Sequence, residues 1–173
     1  MSAKFIYLDH QATTPLAPEA RAAMLPWLGG PEGMGFANPH SMHRAGRAAA
    51  AAVEVAREQV AALLPKGGRV VFTSGATEAL NQAIRAIPRA RIAYSAIEHS
   101  AVVNPAVSTG AELQELPVGP DGLVDPEVPI AEGTGLVAVM QVNNEIGTVQ
   151  PVARLASFVP SLRNRPPPSP LPA

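Results

Sequence analysis

The sequence predicts an α/β fold: a largely parallel sheet flanked by helices. Two observations carry this. Short β-branched or apolar runs alternate with stretches of helical period in the order strand, helix, strand, helix. The 173 residues are 47% apolar, enough for one medium domain with a real core.

The first elements lie in the N-terminal half. Phe5-Ile6-Tyr7-Leu8 is a short strand-like run, ended by the turn chemistry of Ala12-Thr13-Thr14-Pro15. Pro18 suits the first turn of a helix running to about Leu28, with Glu19 at its positive end. A loop with Gly29, Gly30, Pro31, Gly33 and Gly35 comes next. Residues 41–64 form the longest helical pattern, with an alanine block at 48–52 and Val53, Ala56, Val60 and Leu63 at 3–4 spacing. Pro65 and Gly67-Gly68 stop it.

Val70-Val71-Phe72 reads as a strand, Thr73 to Thr77 as a turn, and residues 78–87 as a helix closed by Pro88. Residues 91–95 are the next strand, 99–107 a short helix and 113–118 a strand before an Asp121-Gly122 turn. Residues 136–142 are the most hydrophobic strand, and a final helix starts at Val152 and runs to Val159. No internal repeat is visible.

Composition excludes several classes. Thirteen basic and 14 acidic residues give a net charge of -1, without the basic excess that nucleic acid demands. No apolar run approaches the ~18 residues of a membrane helix, and residues 1–9 lack signal-peptide character. The absence of cysteine removes disulfides, thiolate metal sites and a cysteine nucleophile from this chain. Seven of the 19 prolines fall in residues 151–173, so the folded part is expected to end near Leu162, before an extended, frayed Pro-rich tail at 163–173.

Four segments are placed to do chemistry. Thr73-Ser74-Gly75-Ala76-Thr77-Glu78 follows a strand and opens a helix, so free N–H groups, three hydroxyls and a positive helix end converge without a lysine. An ordinary capped helix has the same spacing. Ile97-Glu98-His99-Ser100 lies just past a strand end, where His99 can stack on a planar ligand or shuttle a proton, or simply cap a helix. Gln141-Val142-Asn143-Asn144-Glu145-Ile146-Gly147 places two amides and a carboxylate after a buried strand. Either the asparagines close a turn on the backbone, or one faces the crevice. Asn38-Pro39-His40-Ser41-Met42-His43 brings two histidines together with no third metal ligand, so Ser41 is expected to cap the long helix and no metal is expected.

These segments, taken together with Leu8-Asp9-His10-Gln11-Ala12-Thr13-Thr14-Pro15 at the start, resemble the N-terminal part of a cysteine desulfurase of the NifS/IscS type. That group belongs to the class V aminotransferases, which use pyridoxal 5'-phosphate (PLP). The resemblance covers about residues 5–155. It implies an incomplete PLP-transferase type I fold over residues 1–162. It places the cofactor phosphate at Gly75, Ala76 and Thr77, the pyridine ring under His99 (also the proton relay), and the phenolic oxygen at Asn144. It further implies L-cysteine as substrate, alanine and a persulfide as products, sulfur-acceptor or scaffold proteins as partners, a homodimer, and a cytoplasmic location.

The family also uses an aspartate for the pyridinium nitrogen, a Ser-x-His-Lys segment whose lysine anchors the cofactor, a substrate-binding arginine and a persulfide-forming cysteine. None has a counterpart here. The only lysines are Lys4, before the first strand, and Lys66, in a Pro-Lys-Gly-Gly turn. The expectation is a truncated or frame-shifted desulfurase chain, departing from the family pattern near residues 156–162 and inactive alone. The other readings are a selenocysteine lyase or another class V enzyme, and an inactive fragment that serves at most as an interaction partner.

Overall fold

A computed structural model describes residues 6–10, 12–30, 36–64, 68–87 and 91–158. The chain divides into two compact units, residues 1–72 and 73–173.

In the first unit, Pro18 opens helix α1 (Pro18–Met24), which passes into a 3-10 turn at Leu25–Trp27. Proline suits both starts because its missing N–H would have no helical partner there. Helix α2 (Arg44–Ala61) is shorter at both ends than the apolar pattern suggested. Its N-cap is His43, whose Nδ1 accepts the Gly46 N–H at 3.1 Å, and not Ser41. Gly46 is obligatory here, since a Cβ would lie 2.3 Å from the Ser41 carbonyl oxygen. Near the end of α2, Arg57 donates to the Val70 carbonyl at 2.5 Å and covers the Phe72 ring at 5.0 Å.

Among the described residues of this unit, two expected strands are not formed. Residues 68–72 carry no regular structure: the Val70 carbonyl is taken by Arg57, and Val71 is 63% exposed. Residues 6–9 likewise join no ladder, and Ile6 and Leu8 are exposed. A β-branched or apolar run becomes a strand only when a neighbour pairs with it. Residues 1–5 lie outside the described residues.

The second unit runs α3 (Ala76–Ala86), β1 (Arg91–Ser95), α4 (Ser100–Ser108), β2 (Glu112–Leu116), β3 (Thr134–Ala138) and α5 (Val152–Phe158). The three strands form a parallel sheet in the order β2-β1-β3, with Ile92 opposite both Leu113 and Leu136. The α/β fold with a parallel sheet flanked by helices is as the sequence predicted. Strand alternation divides the core in two. Ile92 packs with Ile84, Val102 and Ala106, which belong to α3 and α4. Ala93 packs with Leu116, Val124 and Leu155 on the opposite face. Ile92 and Leu116 are fully buried, each contributing about 1.5–3 kcal/mol of transfer free energy.

This topology places a crevice. The β1–β2 connection contains α4 and covers one face. The β2–β3 connection (117–133) supplies Val118, Val124, Val128 and Ile130 to the other. β1 is the central strand, and its carboxyl end lies beside that of β3, the end of the sheet at which open α/β folds bind ligands.

Strand ends differ from the hydrophobic runs. β3 stops at Ala138 although apolar residues continue to Val142, because the Met140 N–H leaves the sheet for the Glu98 carboxylate and Val142 pairs antiparallel with Val149. Val118 similarly pairs with Val124 around the Asp121-Gly122 turn, where Gly122 has φ +73°. No helix among the described residues is long and apolar enough to cross a membrane. The expected tail at 163–173 and the preceding residues 159–162 lie outside the described residues.

Candidate functional site

Helix α3 begins at Gly75, which has no side chain to cap it, and no other side chain does so. A Cβ at Gly75 would meet nothing within 4 Å, so the first turn is open to approach. The loop before it is nonetheless fixed. Thr73 Oγ1 donates to the Gly75 carbonyl at 3.0 Å, and the Ser74 N–H donates to Glu78 Oε2 at 2.7 Å. Gln82 Nε2 donates to the other Glu78 oxygen at 3.0 Å. The Ser74 N–H, with its hydroxyl and Gln82 adding to it, holds the Glu78 carboxyl below its ordinary pKa. The first-turn N–H groups of α3 and the Thr77 hydroxyl are thus presented on a rigid, uncapped, positive helix end, a setting suited to phosphate.

His99 ends the turn after β1 and is the N-cap of α4. Its Nδ1 accepts the Ala101 N–H at 3.0 Å. Accepting at Nδ1 puts the proton of the neutral ring on Nε2, which is left as a donor. His99 is exposed, so one ring nitrogen is committed to the fold and the other is available to a ligand.

The two asparagines after β3 have separate tasks. Asn143 is 6% exposed. Its Nδ2 donates to the Ile97 carbonyl at 3.0 Å, and its Oδ1 accepts the N–H groups of Glu145 and Ile146 at 2.8 and 3.0 Å. Its own N–H donates to the Thr148 carbonyl, and its carbonyl accepts the Gly147 N–H. Asn143 therefore closes the turn, while Asn144 is exposed and lines the crevice.

The expected site residues come together around His99. With Ala96, Glu98 and residues 143–146, His99 lines a cleft of about 440 Å³ that includes Asn144. With Asn81, Arg85 and Asn104 it lines a second of about 420 Å³ that includes Thr77. Thr77, Asn81 and Arg85 recur at four-residue spacing on one face of α3, and Arg85 donates to Ser108 Oγ of α4 at 2.8 Å. Of Gly75, Ala76 and Thr77, it is Thr77 that lines this cleft.

Among the described residues no group of histidine, cysteine, aspartate or glutamate is arranged to hold a metal, and His43 is spent as a helix cap. Sequence reasoning missed the parts played by Glu98 and Asn143, whose bonds span 42 and 46 residues. A polar residue beside a buried strand end was the available signal. The donor set suits a phosphorylated aromatic cofactor at one end: an uncapped helix terminus and a hydroxyl, then an imidazole, then a primary amide. Lys4 and Lys66 both lie outside the described residues.

Comparison with known proteins identifies the family. Residues 6–163 match the Aminotransferase class-V family. The chain is 40% identical over 166 residues to the cysteine desulfurase IscS of Dictyoglomus turgidum, covering 88% of this chain and 41% of that protein. It is 42% identical over 170 residues to a mitosomal cysteine desulfurase of Encephalitozoon cuniculi, covering 88% and 38%. A solved NifS-like protein superposes with a TM-score of 0.77 at 31% identity, covering 90% of this chain and 45% of that one. The chain thus spans about two fifths of the length of the curated relatives it matches.

Proposed function

We infer a function from one premise: this chain belongs to the Aminotransferase class-V family, whose members depend on PLP. The activity proposed is that of a cysteine desulfurase, which removes sulfur from L-cysteine to leave L-alanine and a protein-bound persulfide for a sulfur acceptor. The chain supplies the phosphate and ring-face side of that site.

One observation carries the reading: His99 lines two clefts, with Thr77 in one and Asn144 in the other. The N–H groups after Gly75, with the Thr77 hydroxyl, would hold the phosphate. His99 would lie against the ring and hold or pass a proton at Nε2, its Nδ1 being fixed on Ala101. The Asn144 amide would orient the ring through its phenolic oxygen. Bound there, the cofactor supplies an electron sink for the substrate's α-carbon.

Completing the reaction requires a lysine anchor and a thiol. The sequence has no cysteine, and neither lysine falls in the segments that build the clefts. The proposal therefore includes an inactive chain in isolation. It also includes a domain portion at 1–162 with a Pro-rich tail at 163–173, sulfur-acceptor or scaffold proteins as partners, a homodimer when all parts are present, and a cytoplasmic location.

The test is the PLP ring's induced circular dichroism on titration into the folded chain. A saturable band that His99→Ala and Asn144→Ala each abolish supports the reading. Absence of any band, or a band indifferent to both substitutions, overturns it.

A further inference from the structure

We propose that Glu98 and Asn143 are positioning residues that lock the His99 loop and the Asn144 loop into one register at the carboxyl edge of the sheet. The functional consequence rests on the PLP reading above; the positioning itself rests on geometry.

Parallel pairing of β1 with β3 makes residues 96–99 and 139–147 emerge side by side. Strand pairing alone does not fix these two loops, because β3 leaves the ladder after Ala138. Two side chains take over. Glu98 Oε1 accepts the Ser95 hydroxyl at 2.8 Å and the Met140 N–H at 2.6 Å. One carboxylate oxygen therefore joins the last residue of β1, fully buried, to the chain just past β3. Asn143 makes the reciprocal connection, from the Asn144 loop to the Ile97 carbonyl, while its oxygen folds the 143–146 turn.

The two braces cross. Glu98 reaches from the first loop to the second, and Asn143 from the second to the first. Each lies next in sequence to a proposed cofactor contact: Glu98 precedes His99, and Asn143 precedes Asn144. A side chain's direction depends on its backbone within one residue, so losing either brace frees the ring or the amide to turn. Hydrogen bonds to a carboxylate are among the stronger ones, and the Glu98 bonds are partly shielded from water.

The test compares the wild-type chain with Glu98→Ala, Glu98→Gln and Asn143→Asp by NMR without ligand, tracking the His99 ring and Asn144 side-chain amide signals. Glu98→Ala should shift both together, leaving the methyls of Ile84 and Val102 in place. Glu98→Gln keeps an acceptor oxygen and should restore the wild-type positions. Unchanged His99 and Asn144 signals in Glu98→Ala would overturn the proposal. Should Glu98→Ala unfold, Asn143→Asp decides, since it retains an acceptor for Glu145 and Ile146 and sets a carboxylate oxygen, which cannot donate, against the Ile97 carbonyl; there, unchanged signals contradict the brace and a joint shift supports it. Added PLP separates the two readings. Glu98→Ala should keep the wild-type affinity for inorganic phosphate and lose the ring's dichroism. If the wild-type chain binds no PLP, the cofactor reading fails while the NMR shifts still judge the brace.

Discussion

Asn143 and Asn144 are neighbours in sequence and opposites in environment. The side chain of the first is buried and bonded to Ile97, Glu145 and Ile146, and that of the second is exposed on the cleft it shares with His99. Asn143→Ala leaves one half-buried carbonyl and two N–H groups without their partner, and should destabilise the chain by about 1–3 kcal/mol. Asn144→Ala should fall within about 0.5 kcal/mol of wild type. Denaturant unfolding of the two variants checks both numbers.

Thr77→Ala removes the one side-chain donor of the α3 N-terminus that faces a cleft. Loss of a bond to a charged oxygen should weaken phosphate and PLP binding by about 1–2 kcal/mol, roughly five- to thirtyfold in Kd. Stability should be unchanged. Calorimetric titration with inorganic phosphate and with PLP measures the effect.

Glu78 gives a pH dependence of known sign. Its folded pKa lies below the ordinary value, chiefly because the Ser74 N–H binds the ionised form. Its contribution to the α3 terminus is present above the unfolded carboxylate pKa and is lost as pH falls through the folded one. Carbon-13 titration of the Glu78 carboxyl should show a depressed midpoint that rises in Ser74→Pro, which has no N–H to donate.

Gly46→Ala places a Cβ against two backbone carbonyls, of Ser41 and Asn38. Neither can move like a side-chain tip, so the loop before α2 must shift, at about 1–3 kcal/mol. Thermal unfolding reports it, and Ala45→Gly, on the exposed neighbour, serves as the reference for helix propensity.

The sequence made the parallel layer legible because its signals there are local. Residues 91–95 are bounded by Pro88 before and a polar turn after, and β1 occupies that span. Ends set by distant partners were not legible. The apolar run through Val142 hides the point where Met140 turns to a carboxylate 42 residues away. Val70-Val71-Phe72 has strand composition, but its carbonyl goes to Arg57. At the site, residue type and position marked the segments 73–78, 97–100 and 141–147, and the family resemblance singled out Thr77, His99 and Asn144 within them. Which asparagine is structural, and which imidazole nitrogen caps α4, depend on three-dimensional partners. The same holds for His43, which displaced Ser41 as the cap of α2.

The proposed function requires His99 to stand between a phosphate site at Thr77 and a ring contact at Asn144. Backbone amide NMR of the isotope-labelled chain resolves all three positions at once, with inorganic phosphate and PLP added separately. Phosphate should perturb residues 76–78 alone, and PLP should perturb 76–78, 99–101 and 144–146 together. PLP shifts confined to other residues, or shifts at 76–78 without any at 99–101 and 144–146, would contradict it.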